Sequence, residues 1–183
     1  MPFIEADKDR LYLTLNHRHN SPGYHWSLLL APADPPPAED DPQNLNCVCW
    51  DLANVMQDPV TGRKTSVPWY RRRRLTNQAR STTLITRVLL EKFSVSRRAD
   101  TVRHISCIAE RVPVYPDDSC KRWILRLLEA LENAGLLRLP VPLATVGERA
   151  IKFADEVMWR VETRALKIVH TRDIPVLDAR KMC

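Results

Sequence analysis

Residues Arg10 to Asn16, RLYLTLN, alternate strictly: Leu11, Leu13 and Leu15 point one way, Tyr12 and Thr14 the other. A period of two marks a half-buried β-strand. His17 to Gly23, HRHNSPG, breaks the pattern with Asn20-Ser21-Pro22-Gly23, residue types that supply or fix the backbone angles of a turn. Tyr24 to Ala31 resumes as an apolar strand, so residues 10–31 predict a hairpin. Pro32 to Asn44, PADPPPAEDDPQN, combines five prolines with four acids and predicts an exposed, partly extended loop. Leu45 to Asn54 predicts a third strand. Val67 to Leu75 predicts a fourth, placed at a sheet edge because Pro68 has no N–H for a ladder and the run Arg71-Arg72-Arg73-Arg74 resists further pairing. Thr82 to Phe93 has a length that also suits a helix, but its Thr, Ile and Val content favours a fifth strand.

Beyond residue 98 the period changes. Ala99 to Arg111 predicts a short helix with Val102, Ile105 and Ile108 or Ala109 on one side, ended by Pro113 and Pro116. Ser119 to Ala134 carries the clearest helical stripe, Trp123, Ile124, Leu127, Leu128 and Leu131, with Asp117, Asp118 and Ser119 as candidate caps and Gly135 as the stop. Cys120 falls on that stripe, in the first turn. Leu139 to Leu143 is a connector. Gly147 to Leu166 predicts a second long helix with Ile151, Ala154, Val157, Met158 and Val161 inward. Lys167 to Cys183 is expected to be a strand or a loose tail. Trp123 and Trp159 are both most simply core residues. These elements amount to a single α+β domain over 1–183: 10–95 mainly β, 99–166 mainly α, and an antiparallel sheet of about five strands with helices packed on it.

Composition narrows the class. At 183 residues and 44% hydrophobic, the chain is long enough for one sizeable core. No apolar run approaches the roughly 18 residues that span a bilayer. MPFIEADKDR lacks a secretory h-region, and ARKMC matches no lipidation signal, so a cytoplasmic location is expected. The five cysteines are then expected to be reduced thiols. A net charge of +6 is compatible with an anionic partner without requiring one. Trp69 and Tyr70 beside the arginine run have the flavour of a single-strand binder. A strand shares its side chains between two faces, however, and a solvated edge strand explains the run more simply. Cys47-x-Cys49 and His17-x-His19 each place two soft ligands on one face. Their spacing is not that of a zinc site, and ordinary sheet alternation explains it better, so no metal is expected.

The candidate chemistry is that of a thiol. Cys120 at a helix N-terminus gains from unpaired N–H groups that favour a negative sulfur. His25, heading an apolar strand, is the candidate base. Asp51, in the next strand, is the candidate group to orient the ring. The competing readings are a packed core histidine, a buried small apolar cysteine, and an acid that pairs with the arginines.

Three segments, YHWSLLL, CVCWDLA and SCKRWILRLL, stand in the order found in permuted papain-like proteins, the group of the lecithin–retinol acyltransferases and their NlpC-type relatives. The chain resembles that group over about residues 10–135, and is similar to small uncharacterised fungal proteins with a His-Trp strand and a Cys-x-x-Trp helix. The resemblance implies a permuted order, histidine strand before cysteine helix, with His25 as base, Asp51 in the polar third position and Cys120 as nucleophile. Ser119, Asp51 and Arg122 stand where the acyltransferases usually have Asn, His and His, so the resemblance carries the fold further than the substrate. The expected activity is cysteine-dependent hydrolysis or transfer at an amide, ester or thioester of a small-molecule or peptide substrate, without a cofactor. Trp26, Gly23 and Arg122 are the expected substrate contacts, Gly23 and the 32–44 loop frame the entrance, and the arginines favour an anionic substrate. The alternatives are a non-catalytic binding protein of the same fold and, less favoured, a nucleic-acid-binding protein. Oligomeric state is left open.

Overall fold

The structure is a computed structural model that describes residues 7–18, 21–32, 45–77, 81–168 and 173–183. Its strands are β1 (Lys8–His17), β2 (Tyr24–Ala31), β3 (Cys47–Gln57), β4 (Lys64–Thr76), β5 (Leu84–Ser94) and β6 (Val176–Asp178). Its helices are α1 (Arg98–Arg111), α2 (Cys120–Asn133) and α3 (Leu143–Glu162). The six strands form one sheet in the order β4-β3-β2-β1-β5-β6. All pairs are antiparallel except β5 with β6, so the sheet is mixed and has one strand more than the pattern predicts. The extra strand is only VLD; three residues are too few for periodicity to show.

The hairpin forms with Leu13 opposite Leu28. β4 takes the predicted edge. The 82–93 segment is a strand, paired along the far side of β1. Leu11, Leu13, Leu15, Trp26, Leu28, Leu30, Val48, Trp50, Leu52, Val88 and Leu90 make one face, which packs with Trp123, Ile124, Leu127, Leu128 and Leu131 of α2 into the main core. The other face is not half-exposed as alternation predicts. Tyr12, Leu29, Ala31, Cys47, Cys49 and Leu89 form a second buried cluster there. Thr14 is buried among them because its hydroxyl is satisfied by Ser27 Oγ at 2.5 Å and the Ser27 carbonyl at 3.2 Å.

α2 begins at Ser119, whose hydroxyl accepts from the Arg122 N–H at 3.2 Å. It ends at Gly135, whose φ of 71° suits the turn through which Leu136 N–H returns to the Leu131 carbonyl at 2.9 Å. α3 lies four residues earlier than the pattern predicts. Pro142 caps it, so Leu143 to Val146 form its first turn, and Arg164 takes the left-handed stop with no glycine to announce it. Its inner face is correspondingly richer in small residues: Val146, Gly147, Ala150, Ala154 and Val157, with Gly147 lying beside Trp26. Trp159 is 62% exposed, so its expected place in the core is corrected; only Trp123 of that pair is buried. No helix among the described residues is long and apolar enough to cross a membrane.

Candidate active site

Cys120, His25 and Asp51 come together where two strands part. β2 and β3 pair only from Ser27 opposite Asp51 to Leu30 opposite Val48. Below Ser27, β2 continues through Trp26, His25 and Tyr24 with no β3 residue beside it. Backbone groups left unpaired in a protein interior are costly, and here a sulfur meets them. The Trp26 N–H donates to Cys120 Sγ at 3.5 Å, and Sγ lies 3.8 Å from the Tyr24 carbonyl oxygen. The first residue of α2 thus stands in for a neighbouring strand at the mouth of the split.

His25 and Asp51 project from the sheet face opposite the helices. His25 Nε2 donates to Asp51 Oδ2 at 3.0 Å, and the Cys120 side chain is the ring's other polar neighbour. Asp51 is fully buried. Its register partner Arg72 holds it with two contacts, Nε to Oδ1 at 2.8 Å and Nη2 to Oδ2 at 2.6 Å. Arg74 Nη2 adds a longer contact to Oδ2 at 3.5 Å. Asp51 therefore answers both descriptions offered by the sequence: it partners the ring and it pairs with the arginines.

These contacts set the protonation states. Burial alone raises a carboxyl, but the Arg72 guanidinium and His25 hold Asp51 far below the usual carboxylate range. Burial alone lowers an imidazole, but hydrogen bonds to Asp51 and to Cys120 and their negative charge prevail, and His25 is pushed up from 6.5 to about 9. Burial raises a thiol; the His25 side chain, the Trp26 N–H and the positive charges of His25 and Arg18 outweigh it, and Cys120 falls below the ordinary thiol value. All three shifts favour an imidazolium beside a thiolate. The first-turn N–H groups of α2 have no carbonyl acceptor within the helix; that of Arg122 is taken by the Ser119 hydroxyl, and those of Cys120 and Lys121 stand at the helix start beside it.

The expected substrate contacts fare differently. Trp26 is 2% exposed and belongs to the main core, with the Lys121 ammonium over its ring. That expectation is corrected: what residue 26 brings to the site is its backbone N–H. Arg122 is exposed and turns back to Asp117, bonding its carbonyl at 3.1 Å and its carboxylate at 3.2 Å. Gly23 sits in the exposed turn before β2 with φ of 76°. Residues 33–44 of the expected entrance loop, and His19 of the His17-x-His19 pair, lie outside the described residues. Cys47 and Cys49 share the buried second cluster, and burial pushes the Cys49 thiol up to about 11. Among the described residues no three His, Cys, Asp or Glu side chains gather around a point that would suit a metal ion. The four arginines divide as alternation requires: Arg72 and Arg74 face Asp51, whereas Arg71 Nε reaches the Val112 carbonyl at 3.0 Å on the helix side.

The sequence reading missed Arg72 as the residue that locks Asp51. The available signal was the alternation itself, once β3 and β4 are paired with residue 51 opposite residue 72. It also missed a cavity of about 660 Å³ on the open sheet face, with His25, Ser27, Asn16, Thr83 and Arg74 in its wall.

The molecule is thus an α+β protein, one mixed six-stranded sheet with three helices, holding a Cys–His–Asp cluster at a split between strands. It belongs to DUF6914, a family of unknown function whose model matches residues 8–171. No curated protein and no solved structure matches it.

Proposed function

We propose that the protein is a cysteine-dependent acyl hydrolase or acyltransferase with a permuted papain-like arrangement, acting on an amide, ester or thioester. The observation that carries this reading is the linked set Arg72–Asp51–His25–Cys120, in which a fully buried carboxylate orients and charges the ring beside a thiol at a helix N-terminus. Cys120 attacks the carbonyl carbon as thiolate. His25, already protonated, gives its proton to the leaving amine, alcohol or thiol, then takes one from the attacking water or acceptor in the second step. Asp51 keeps the ring oriented, and Arg72 keeps Asp51 ionised. The oxyanion is met by backbone N–H groups of the first turn of α2. The location consistent with this chemistry is a reducing one, the cytoplasm.

One observation favours a second reading, a non-catalytic binding protein of the same arrangement: Cys120 exposes only 3% of its surface, against 24% for the His25 side chain. Iodoacetamide separates the two. With peptide mapping to distinguish the five cysteines, Cys120 is expected to alkylate at pH 6.5 at least about tenfold faster than a free peptide thiol, which is mostly protonated there. His25→Ala is expected to remove that advantage. A Cys120 that reacts no faster than the free thiol in the folded protein overturns the enzyme reading and leaves the sulfur as packing.

A further inference from the structure

Among the described residues, Arg74 carries a charge that nothing in the cluster fully neutralises. Asp51 is matched by Arg72 through two close contacts, and the thiolate is matched by the imidazolium. Arg74 makes a single longer contact, 3.5 Å to Oδ2, and its side chain is 44% exposed. It reaches into the 660 Å³ cavity whose wall also includes the His25 ring. That volume lies within the range of small-molecule sites. No acidic side chain lies among the described residues that line the cavity. Its thiol, Cys49, is held neutral. The remaining wall offers amide and hydroxyl groups, such as Asn16 and Thr83, beside the half-exposed apolar surfaces of Leu45 and Leu75.

A polyanion needs a row of cations on one face. β4 does not supply one: Arg71 is engaged on the helix side and Arg73 lines a separate depression with Arg98 and Arg103. A half-open pocket with, among the described residues, one surplus guanidinium, hydrogen-bonding groups and an apolar wall instead fits a small molecule with one anionic end. We propose that this cavity binds the carboxylate or phosphate end of a small acyl substrate, with Arg74 as the group that grips the oxyanion. That the ligand is a substrate rests on Cys120 acting as the nucleophile. The binding does not, because Arg74 and the cavity remain whether or not Cys120 reacts.

The test is isothermal titration of the full chain with glutarate, butyl phosphate and neutral glutaramide, in wild type, Arg74→Gln and Arg74→Lys proteins whose folding is checked by thermal melting. At least one anion is expected to bind wild type, while glutaramide does not. Which anion binds names the oxyanion. Arg74→Gln is expected to weaken binding by about tenfold or more, the usual size of a charged hydrogen bond. Arg74→Lys, which keeps the charge, is expected to lose less and guards against a folding artefact. Absence of binding by both anions, equal binding of glutaramide, or an Arg74→Gln affinity equal to wild type overturns the proposal. Failure of the thiol reading shows itself separately, as slow alkylation of Cys120 in a protein that still binds the anion.

Discussion

Asp51→Asn is the sharpest perturbation the structure offers, because it removes a charge while keeping nearly the same volume. The carboxylate is fully buried between Arg72 and His25, so two cations lose their partner at once. The rise of His25 from 6.5 to about 9 corresponds to roughly 3 kcal/mol of preference for the imidazolium. Breaking a buried charge pair by removing one member costs about 3–5 kcal/mol. The Arg72 side chain is 37% exposed, so water compensates part of its loss, and the lower end applies: about 3 kcal/mol at pH 6. The pH dependence has a definite sign. A group whose pKa is raised on folding stabilises fully below its unfolded value and loses that contribution as pH rises through the folded one. The His25 part of the deficit is therefore complete below pH 6.5 and disappears as pH passes about 9, leaving the Arg72 part. Asp51 has the opposite sign: its contribution is present above the ordinary carboxylate pKa and is lost only as pH falls through its depressed folded value. Urea unfolding at pH 6, 7.5 and 9.5 measures the deficit. Imidazole proton shifts, assigned with His25→Gln, follow the ring. In Asp51→Asn the ring is expected to titrate well below 9, since only Cys120 is then left to oppose the effect of burial. A ring that still titrates near 9, or a deficit under about 1 kcal/mol, the size of an exposed pair, refutes the reasoning.

Three further outcomes follow from the helix cap and the packing. Ser119→Ala removes the hydroxyl that accepts from Arg122 N–H and is expected to cost about 1 kcal/mol, read by urea unfolding. Trp123→Ala is expected to cost about 3–5 kcal/mol, while Trp159→Gln, on an exposed side chain, stays within about 0.5 kcal/mol by the same measurement.

The strands and helices were legible where a single face is buried over a full period. Leu11, Leu13 and Leu15 declare the first strand, and the stripe from Trp123 to Leu131 declares the helix that carries Cys120. Three things escaped for physical reasons. The second buried face was hidden because Thr14 and Ser27 satisfy each other and so read as ordinary polar positions. β6 was too short to have a period. The early start of α3 rests on Pro142, which reads as a breaker although a cap is a place where its missing N–H does no harm. At the site, the residue types were readable, since a histidine in an apolar strand and a cysteine in a helix's first turn are both conspicuous. Arg72 was not, because its role depends on register: of four consecutive arginines, pairing alone selects the one opposite Asp51.

The sulfur at the mouth of the split has two duties. In the proposed reaction it is the atom offered to an electrophile, and it is also a contact between the start of α2 and the end of β2 that β3 leaves uncovered, through the Trp26 N–H and the Tyr24 carbonyl. Any group attached to Cys120 must occupy space where backbone now closes on sulfur, and a thioether or thioester accepts a hydrogen bond less well than a thiolate. An adduct on that one atom is therefore expected to part these two contacts, while the pairing with β1 and the packing of Trp26 in the main core keep the strand in place.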